Sequence, residues 1–331
     1  DSTATFTLPD EFVEGTGEIT LRTSSLAGVT FARNIQYLLS YPYGCLEQTT
    51  SRLFPLIYFN DLAKFVQPAL FGGGGPDYYI QEGILKLMSM GLADGSFSYW
   101  PGRNDRHHWS SVYAAHFLVE ARRAGYRVED KFYDRVLDNM RQTARGRVYN
   151  DLDEPQRIYA AYVLSRAGKM ENRIINYLKG LNTGQLPAYA RYLLAGTLAA
   201  AGETDQAMLL LPTDIQPNNF DPETGGNLSS GVRTDAILLD VLMTIDPNNP
   251  SIPILAESLI KRAKVGHWYT TQESAFALMA LGKFFKGKEE DDFVGSLKIS
   301  GDSTYTIDTS SFSHEREGLD GREVTISIDG K

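Results

Sequence analysis

Hydrophobic residues recur at helical spacing through most of the chain, from about residue 27 to residue 288. Apolar side chains at i, i+3, i+4 and i+7 form one stripe, which is typical of amphipathic α-helices. Residues 1–26 and 289–331 differ, because they alternate polar and apolar positions and are rich in Thr, Ser, Val and Ile. Alternation of this kind predicts β-strands. The pattern therefore predicts an all-helical middle enclosed by two β-rich ends.

Glycines mark the ends of several predicted helices. Gly125, Gly168 and Gly202 each follow a stretch of helical periodicity. A glycine just after a helix readily adopts the left-handed conformation that ends it. We therefore predict helix stops at these three positions and about a dozen helices in total.

The helical stretches also repeat. Segments with small residues around Tyr113, Tyr159 and Tyr189 recur at intervals of 46 and 30 residues. Such spacing fits helix hairpins packed side by side. About a dozen helices favour a closed α/α toroid with two concentric helix layers; an open superhelix remains the alternative. We expect this helical domain (27–288) to be inserted in a small antiparallel β domain formed by residues 1–26 and 289–331. Whether the two ends pair in one sheet stays open.

Charge and hydropathy exclude two classes of partner. The 331 residues carry 32 Lys and Arg against 41 Asp and Glu, a net charge of −9. Without a dense basic run, a nucleic-acid surface is not expected. No apolar run approaches the roughly 20 residues that a membrane span needs. Because the chain begins without Met and ends in a strand-like segment, we expect it to be a piece of a longer protein.

One short motif carries candidate chemistry. Residues 41–50 read YPYGCLEQTT and contain Cys45, the only cysteine of the chain. Pro42 and Gly44 favour a turn, and a helix that begins there would place Cys45 and Gln48 on one face. A thiolate could then attack the glutamine amide carbon, expel ammonia and form an internal thioester. A single cysteine is otherwise most often a small buried hydrophobe.

Residues 43–48 (YGCLEQ) resemble the thioester motif of the α2-macroglobulin and complement superfamily. The Leu46 variant, preceded by Tyr-Pro-Tyr, is similar to the bacterial α2-macroglobulins. The resemblance continues through residues 94–100 (DGSFSYW), a helix that opens at His108, and residues 268–275 (WYTTQESA). It covers nearly the whole chain.

The resemblance implies a fold and a function. The fold would be a thioester-containing α/α toroid inserted in a CUB-type β domain. The function would be that of a bacterial α2-macroglobulin, a broad-spectrum protease inhibitor and not an enzyme. Proteases would cleave a bait region elsewhere in the parent macroglobulin chain and then be acylated on lysine amines. The resemblance further implies a periplasmic location and no cofactor beyond the internal cross-link.

The same resemblance implies residue roles. Cys45 would supply the thioester sulfur and Gln48 the acyl carbon. Glu47 could assist proton transfer or simply be a solvated acid at the helix start. Tyr41 and Tyr43 could shield the thioester from water or simply pack the turn.

The preferred nucleophile is predicted from a loop. Hydroxyl-preferring complement relatives use a loop histidine as general base, whereas the approximately matching residues 147–156 contain none. This favours direct attack by amines, with His107 and His108 as candidate substitutes for the base. The adjacent pair His107 and His108 lacks the spaced partners of a metal site and is interpreted as solvated loop residues.

Other function classes stay open at this point. An α/α-toroid enzyme, of glycoside hydrolase or cyclase type, would use carboxylates at the ring mouth, but Asp94 and Asp105 lack an identifiable partner. That class also leaves the spacing of Cys45 and Gln48 unexplained. The remaining alternatives are a cysteine hydrolase that pairs Cys45 with a histidine and a non-reactive helical scaffold.

Overall fold

The computed structural model describes residues 2–11, 18–24, 31–41, 43–71, 74–146, 153–218, 220–223, 228–263, 268–286, 294–307 and 311–329. By its internal contacts the chain divides into two compact units. One unit combines Asp1–Thr30 with Phe285–Lys331, and the other is Phe31–Phe284. The domain boundaries predicted at residues 26/27 and 288/289 fall in segments 25–30 and 287–293, outside the described residues.

The described residues of the chain form fourteen α-helices. They are α1 (Ala32–Ser40), α2 (Leu46–Leu53), α3 (Asn60–Val66), α4 (Pro68–Phe71), α5 (Gly75–Ser89), α6 (His108–Arg123), α7 (Asp130–Ala144), α8 (Glu154–Arg166), α9 (Asn172–Lys179), α10 (Ala188–Ala200), α11 (Thr204–Met208), α12 (Gly231–Ile245), α13 (Ser251–Arg262) and α14 (Thr271–Phe285). Helix α6 begins at His108, as the family resemblance implies. No helix among these residues is both long and apolar enough to span a membrane.

Six of these described helices form the inner layer of an α/α toroid. Helix α2 contacts α6, and α6, α8, α10 and α12 contact one another in succession. Side-chain hydrogen bonds then join α12 to α14 and α14 back to α2. Inner helices are buried nearly all round: thirteen of the sixteen residues of α6 are buried. The predicted closed ring is therefore confirmed over the open superhelix.

The remaining long helices pack outside this ring and bury one face only. Helix α5 packs on α2 and α3, α7 on α6 and α8, α9 on α10, and α13 on α12. Only four of the fifteen residues of α5 are buried. One-sided burial accounts for the clear amphipathic stripe of the outer helices α7 and α9, since an inner helix has partners on both sides.

The predicted glycine stops are confirmed. Gly125, Gly168 and Gly202 have φ values of 97°, 65° and 86°, in the left-handed region. The residue after each glycine donates its backbone N–H to a carbonyl in the last turn of α6, α8 or α10, at 2.9–3.0 Å. This bond is the mark of a Schellman motif, which satisfies carbonyls that the helix leaves unpaired.

The β unit draws strands from both ends of the chain. Its strands are β1 (Ser2–Thr7), β2 (Glu18–Ser24), β3 (Val294–Ile299), β4 (Thr304–Ile307), β5 (Ser311–Glu317) and β6 (Glu323–Asp329). One antiparallel sheet has the order β1-β6-β3-β4, and β2 pairs with β5. The two ends therefore do pair, which makes the helical unit an insertion between strands of an antiparallel β unit. Buried apolar residues form its core: Leu8, Leu297, Ile299, Ile307, Leu319 and Val324.

Candidate functional site

The predicted reactive pair lies at the first turn of α2. Cys45 is the N-cap, with an extended backbone (φ −65°, ψ 171°). Its sulfur accepts a hydrogen bond from the backbone N–H of Gln48, while its own N–H donates to Gln48 Oε1 at 3.4 Å. This is a capping box in which cysteine takes the place of the usual serine or threonine. The arrangement folds the Gln48 carboxamide back onto Cys45.

The turn before α2 is held from two sides. The Thr49 hydroxyl donates to the carbonyl of Gly44 at 3.2 Å, and the Thr49 N–H donates to the carbonyl of Cys45 at 2.9 Å. A Cβ on Gly44 would lie 2.4 Å from Nζ of Lys86, a residue of α5. A larger residue at position 44 would therefore have to displace Lys86. Pro42 lies outside the described residues.

Cys45 is buried, with 2% of its surface exposed. Burial raises the pKa of its thiol, and the negative charge of Glu47 adds to this. Hydrogen bonds from the backbone N–H of Gln48, from the Tyr99 hydroxyl and from the backbone N–H of Glu47 act in the opposite direction. The net result is a raised pKa, so the uncross-linked thiol is protonated at neutral pH.

Tyr99 reaches Cys45 from the segment between α5 and α6. Its carbonyl accepts from the N–H of Leu46 at 2.9 Å, and its hydroxyl lowers the pKa of the Cys45 thiol. The segment itself is pinned by two isolated β-bridges, Gly91 to Phe97 and Ser98 to Arg106. Tyr99 is thus held by backbone and side chain at the start of α2.

Glu47 is buried, with 4% of its surface exposed. Its Oε1 accepts from the hydroxyl of Ser51 at 2.7 Å, and both carboxylate oxygens accept from the hydroxyl of Thr271, at 3.0 and 3.1 Å. Burial raises its pKa, and these hydrogen bonds oppose the rise. The interpretation of Glu47 as a solvated acid at the helix start is therefore wrong: it ties α2 to α14.

Tyr41 and Tyr43 contact each other, with ring centroids 5.8 Å apart in an edge-on arrangement. Tyr41 is half-buried and also packs against Tyr37, whereas 61% of Tyr43 is exposed. The tyrosine whose hydroxyl lowers the pKa of Cys45 is Tyr99 instead. A shielding role for Tyr41 and Tyr43 stays a prediction.

His107 lies beside Tyr99, with ring centroids 4.7 Å apart. Its Nδ1 accepts from the N–H of Ser110 at 3.3 Å, so it caps α6 and carries its proton on Nε2 when neutral. Burial and the charge of His108 lower its pKa. Residues 147–152 of the loop compared above lie outside the described residues. Among the residues described, no group of three His, Cys, Asp or Glu side chains could hold a metal ion.

Sequence reasoning missed two contributors to this site. Tyr99 accepts from the N–H of Leu46 at the start of α2, and Thr271 donates to Glu47. Both belong to the segments that carry the family resemblance, residues 94–100 and 268–275. The family resemblance therefore indicated the right segments. It did not indicate which side chain points at α2, because the helix packing decides this and the local sequence does not.

Comparison with known proteins gives a consistent result. Residues 19–144 match the family described as the A-macroglobulin TED domain. Alpha-2-macroglobulin of Escherichia coli (strain K12) is 28% identical over 302 residues, which span 83% of this chain and 18% of that protein. Alpha-2-macroglobulin of Xylella fastidiosa (strain Temecula1) is 25% identical over 297 residues, 84% of this chain and 18% of that protein. The chain therefore spans a minor part of the relatives it matches.

Solved structures show the same fold. A crystal structure of Salmonella alpha-2-macroglobulin reacted with methylamine superimposes with a TM-score of 0.70 at 21% identity, over 98% of this chain and 23% of that chain. Escherichia coli alpha-2-macroglobulin activated by porcine elastase gives a TM-score of 0.63 at 23% identity, over 98% of this chain and 31% of that chain. At this level of identity the similarity shows the fold alone.

Proposed function

We propose that this chain, whose helical unit is a thioester domain of the α2-macroglobulin type, serves as the acylating part of a covalent protease trap. Cys45 and Gln48 would form an internal thioester that transfers the Gln48 acyl group to lysine amines of an attacking protease. The observation that carries the proposal is the capping box, which sets the Gln48 carboxamide against the sulfur of Cys45.

The geometry supports ring closure. The Cys45 N–H donates to Gln48 Oε1, so it can polarise the carbonyl that the sulfur attacks, as an oxyanion-binding N–H does. In the step, Sγ bonds to Cδ of Gln48, the bond from Cδ to Nε2 breaks, and the nitrogen leaves as ammonia with the thiol proton. The N–H groups at the start of α2 favour the thiolate that must form.

In the second step an amine would open the thioester. An amine attacks Cδ of Gln48, the bond from Cδ to Sγ breaks, and Cys45 leaves as a thiolate. An amine bound in this way becomes a stable amide, so the protease stays attached. Two solved neighbours accord with such chemistry, since one is described as reacted with methylamine and another as activated by porcine elastase.

The partners would be proteases and the rest of a parent macroglobulin chain, in the periplasm. Glu47 would accept or return a proton during ring closure, since its charge already acts on Cys45. Tyr41 and Tyr43 would limit the access of water, and the β unit would correspond to a CUB-type domain.

A cysteine hydrolase is less well supported. Such an enzyme needs an imidazole against the nucleophilic sulfur. In the described part of the chain, the sulfur of Cys45 accepts from the backbone N–H of Gln48, and His107 packs on the Tyr99 ring.

Protease capture can be measured directly. The freshly purified parent protein that contains this chain is mixed with elastase and resolved under denaturing, reducing conditions. We expect a covalent adduct that is lost in Cys45→Ala and in protein pretreated with methylamine, because both remove the thioester. An adduct of equal yield in Cys45→Ala would contradict the proposal.

The choice of nucleophile has its own test. Peptide mass spectrometry after exposure to equal concentrations of Nα-acetyl-lysine and glycerol compares amide with ester at Gln48. We expect the lysine amide to dominate. A dominant glycerol ester would instead show that a general base, with His107 as the first candidate, assists hydroxyl attack.

A further inference from the structure

We propose that Ser51 and Tyr113 are positioning residues for the reaction of Cys45 with Gln48. They form a buried chain of hydrogen-bond donors that holds Glu47 as a carboxylate beside Cys45, where it can accept the proton of the thiol. The inference rests on the proposed function, because it assigns further residues to the same reaction. Neither side chain contains a reacting atom, so both act through Glu47.

The direction of each hydrogen bond follows from the protons available. Ser51 lies one turn after Glu47 on α2, and its hydroxyl donates to Glu47 Oε1 at 2.7 Å. A serine hydroxyl has one proton, so the contact between Ser51 and the Tyr113 hydroxyl, at 3.1 Å, is donated by Tyr113. The Thr271 hydroxyl donates to both carboxylate oxygens from α14. Every proton of this network therefore points toward Glu47, which favours the charged form of a carboxyl group.

The chain is held in place by its surroundings. Ser51 and Tyr113 are both fully buried. The ring of Tyr113 stacks on Phe54, directly after α2, with centroids 5.6 Å apart, and on Phe276 of α14, with centroids 5.4 Å apart. Ring packing thus fixes the direction of the hydroxyl. Burial raises the pKa of Tyr113 far above its usual value, so this hydroxyl keeps its proton and remains a donor.

Glu47 differs from other buried acids of the inner helices in how it is satisfied. Glu120 pairs with Arg166, and Asp240 pairs with Lys283, each at 2.7 Å. In the described part of the chain, Glu47 is held by hydroxyl groups instead of a cation. A buried charge without a counterion is costly, so a purely structural acid is normally paired. An acid of this kind two residues from a buried thiol is typical of a group that handles protons.

The ionisable groups that face Glu47 lie on α2, on α6 and in the segment before α6. Its charge raises the pKa of Cys45, Tyr99 and Tyr113. The contact from α14 is the neutral hydroxyl of Thr271. Both phenols keep their protons at neutral pH, so among these groups Cys45 is the one that exchanges a proton with Glu47.

The proton transfers balance without a further reactant. In ring closure the thiol proton passes to Glu47 while Sγ bonds to Cδ of Gln48, and Glu47 returns it to Nε2, which leaves as ammonia. In the opening step an amine bonds to Cδ and the bond from Cδ to Sγ breaks. Glu47 then takes one proton from the amine nitrogen and passes it to the thiolate of Cys45.

A first measurement follows the ionisation of Glu47 without a thioester. In Gln48→Ala the ring cannot form, and an NMR titration of the glutamate carboxyl carbons reports the pKa of Glu47, whose signal is identified by its loss in Glu47→Gln. Adding Ser51→Ala should raise this pKa by about one pH unit, as for loss of one hydrogen bond to a charged group. Adding Ser51→Thr, which keeps the hydroxyl, should restore it.

The role of Tyr113 is tested in the same titration. Tyr113→Phe keeps the stacked ring and should raise the pKa of Glu47 by a smaller amount than Ser51→Ala does. It should add nothing once Ser51→Ala is present, because Tyr113 acts through Ser51. Tyr159→Phe is the matched control: this buried tyrosine bonds to His116 at 3.0 Å instead of to Ser51, and its loss should leave the titration unchanged.

A second measurement connects the chain to the reaction. The rate of reaction with methylamine, corrected for the fraction of unprotonated amine, is followed against pH. In the native protein the corrected rate should fall below the pKa of Glu47, because a protonated acid cannot accept a proton. In Ser51→Ala the fall should begin about one pH unit higher. A residue that only stabilised the ring would not move this inflection, and Tyr159→Phe should follow the native profile.

The outcomes are distinct. If native protein never reacts with methylamine, the proposed function fails, and the titration in Gln48→Ala still decides whether Ser51 and Tyr113 hold the carboxylate. An unchanged pKa of Glu47 in Ser51→Ala, or additive effects of Ser51→Ala and Tyr113→Phe, would overturn the chain. A shifted pKa with an unshifted rate profile would overturn the inference, since Glu47 would then take no part in the reaction. If Ser51→Ala does not fold, Tyr113→Phe carries both measurements.

Discussion

At the scale of single residues, the environment of Cys45 balances opposing effects. Burial and the Glu47 charge raise the pKa of the thiol, whereas two backbone N–H groups and the Tyr99 hydroxyl lower it. A buried thiol with a raised pKa is a poor nucleophile toward foreign electrophiles. The same thiol can still react with the Gln48 amide, because the capping box already holds that amide against the sulfur.

The Glu47 contribution can be isolated in protein whose thioester has been opened with methylamine. Glu47→Gln keeps a carbonyl oxygen for Ser51 and Thr271 but removes the negative charge. Since that charge raises the pKa of Cys45, we expect the inflection of Cys45 alkylation to move to lower pH. Glu82→Gln removes the same charge from an exposed position of α5 and should have no effect. An unchanged inflection in Glu47→Gln would contradict this electrostatic role.

At the scale of helices, two N-termini meet at the candidate site. Helix α2 carries Cys45 as its N-cap, and α14 begins at Thr271, whose hydroxyl binds Glu47. A buried carboxylate is tolerated only when its oxygens are hydrogen-bonded. The contact therefore does two things: it satisfies Glu47 and it closes the inner ring between its first and last helices.

Thr271→Val tests this closure. The substitution keeps the shape of the side chain and deletes the hydroxyl that both oxygens of Glu47 accept from. We expect the free energy of unfolding to fall by about 1–3 kcal/mol, the cost of leaving a buried acceptor unsatisfied. Urea unfolding measures it, and Thr271→Ser, which retains the hydroxyl, is the control. If Val and Ser cost the same, the Glu47 contact does not stabilise the ring.

Sequence was informative where local rules decide the outcome. The glycine stops and the closed ring follow from periodicity and turn chemistry, and the start of α6 at His108 follows from the family resemblance. The burial of Glu47 could not be predicted in this way, because an acid beside a helix start is usually solvated. Here Thr271, which lies 224 positions further along the chain, packs against Glu47 and donates to its carboxylate. Tyr99 was missed for the same reason: its orientation depends on packing between distant segments.

At the scale of the whole toroid, the inner helices share a buried polar cluster away from Cys45. Glu120 on α6 accepts from Arg166 on α8 at 2.7 Å, and Asp240 on α12 accepts from Lys283 on α14 at 2.7 Å. His116 lies in the same region, fully buried, with Nδ1 3.0 Å from the hydroxyl of Tyr159. Removing one partner of such a pair leaves an uncompensated buried charge, which is strongly destabilising.

His116 gives the toroid a defined response to acid. Burial lowers its pKa from 6.5 to about 3, so the unfolded chain binds a proton in this range that the folded protein does not. Stability should therefore decrease as pH falls from 6.5 toward 3, by on the order of a few kcal/mol. His116→Gln, which cannot titrate, should show a flatter urea-unfolding profile between pH 6.5 and 4.5. Equal slopes in the two proteins would contradict the assignment.

The central claim is that Cys45 and Gln48 are joined, and intact mass spectrometry of freshly purified native protein tests it most directly. The account predicts a mass lower than that of the sequence by one ammonia, a Cys45 that resists alkylation, and the gain of one methylamine on Gln48 together with a free thiol after treatment. Cys45→Ala should have the mass of its sequence and gain no methylamine. A native protein that has the full sequence mass, alkylates at Cys45 without methylamine and takes up no amine would contradict the account.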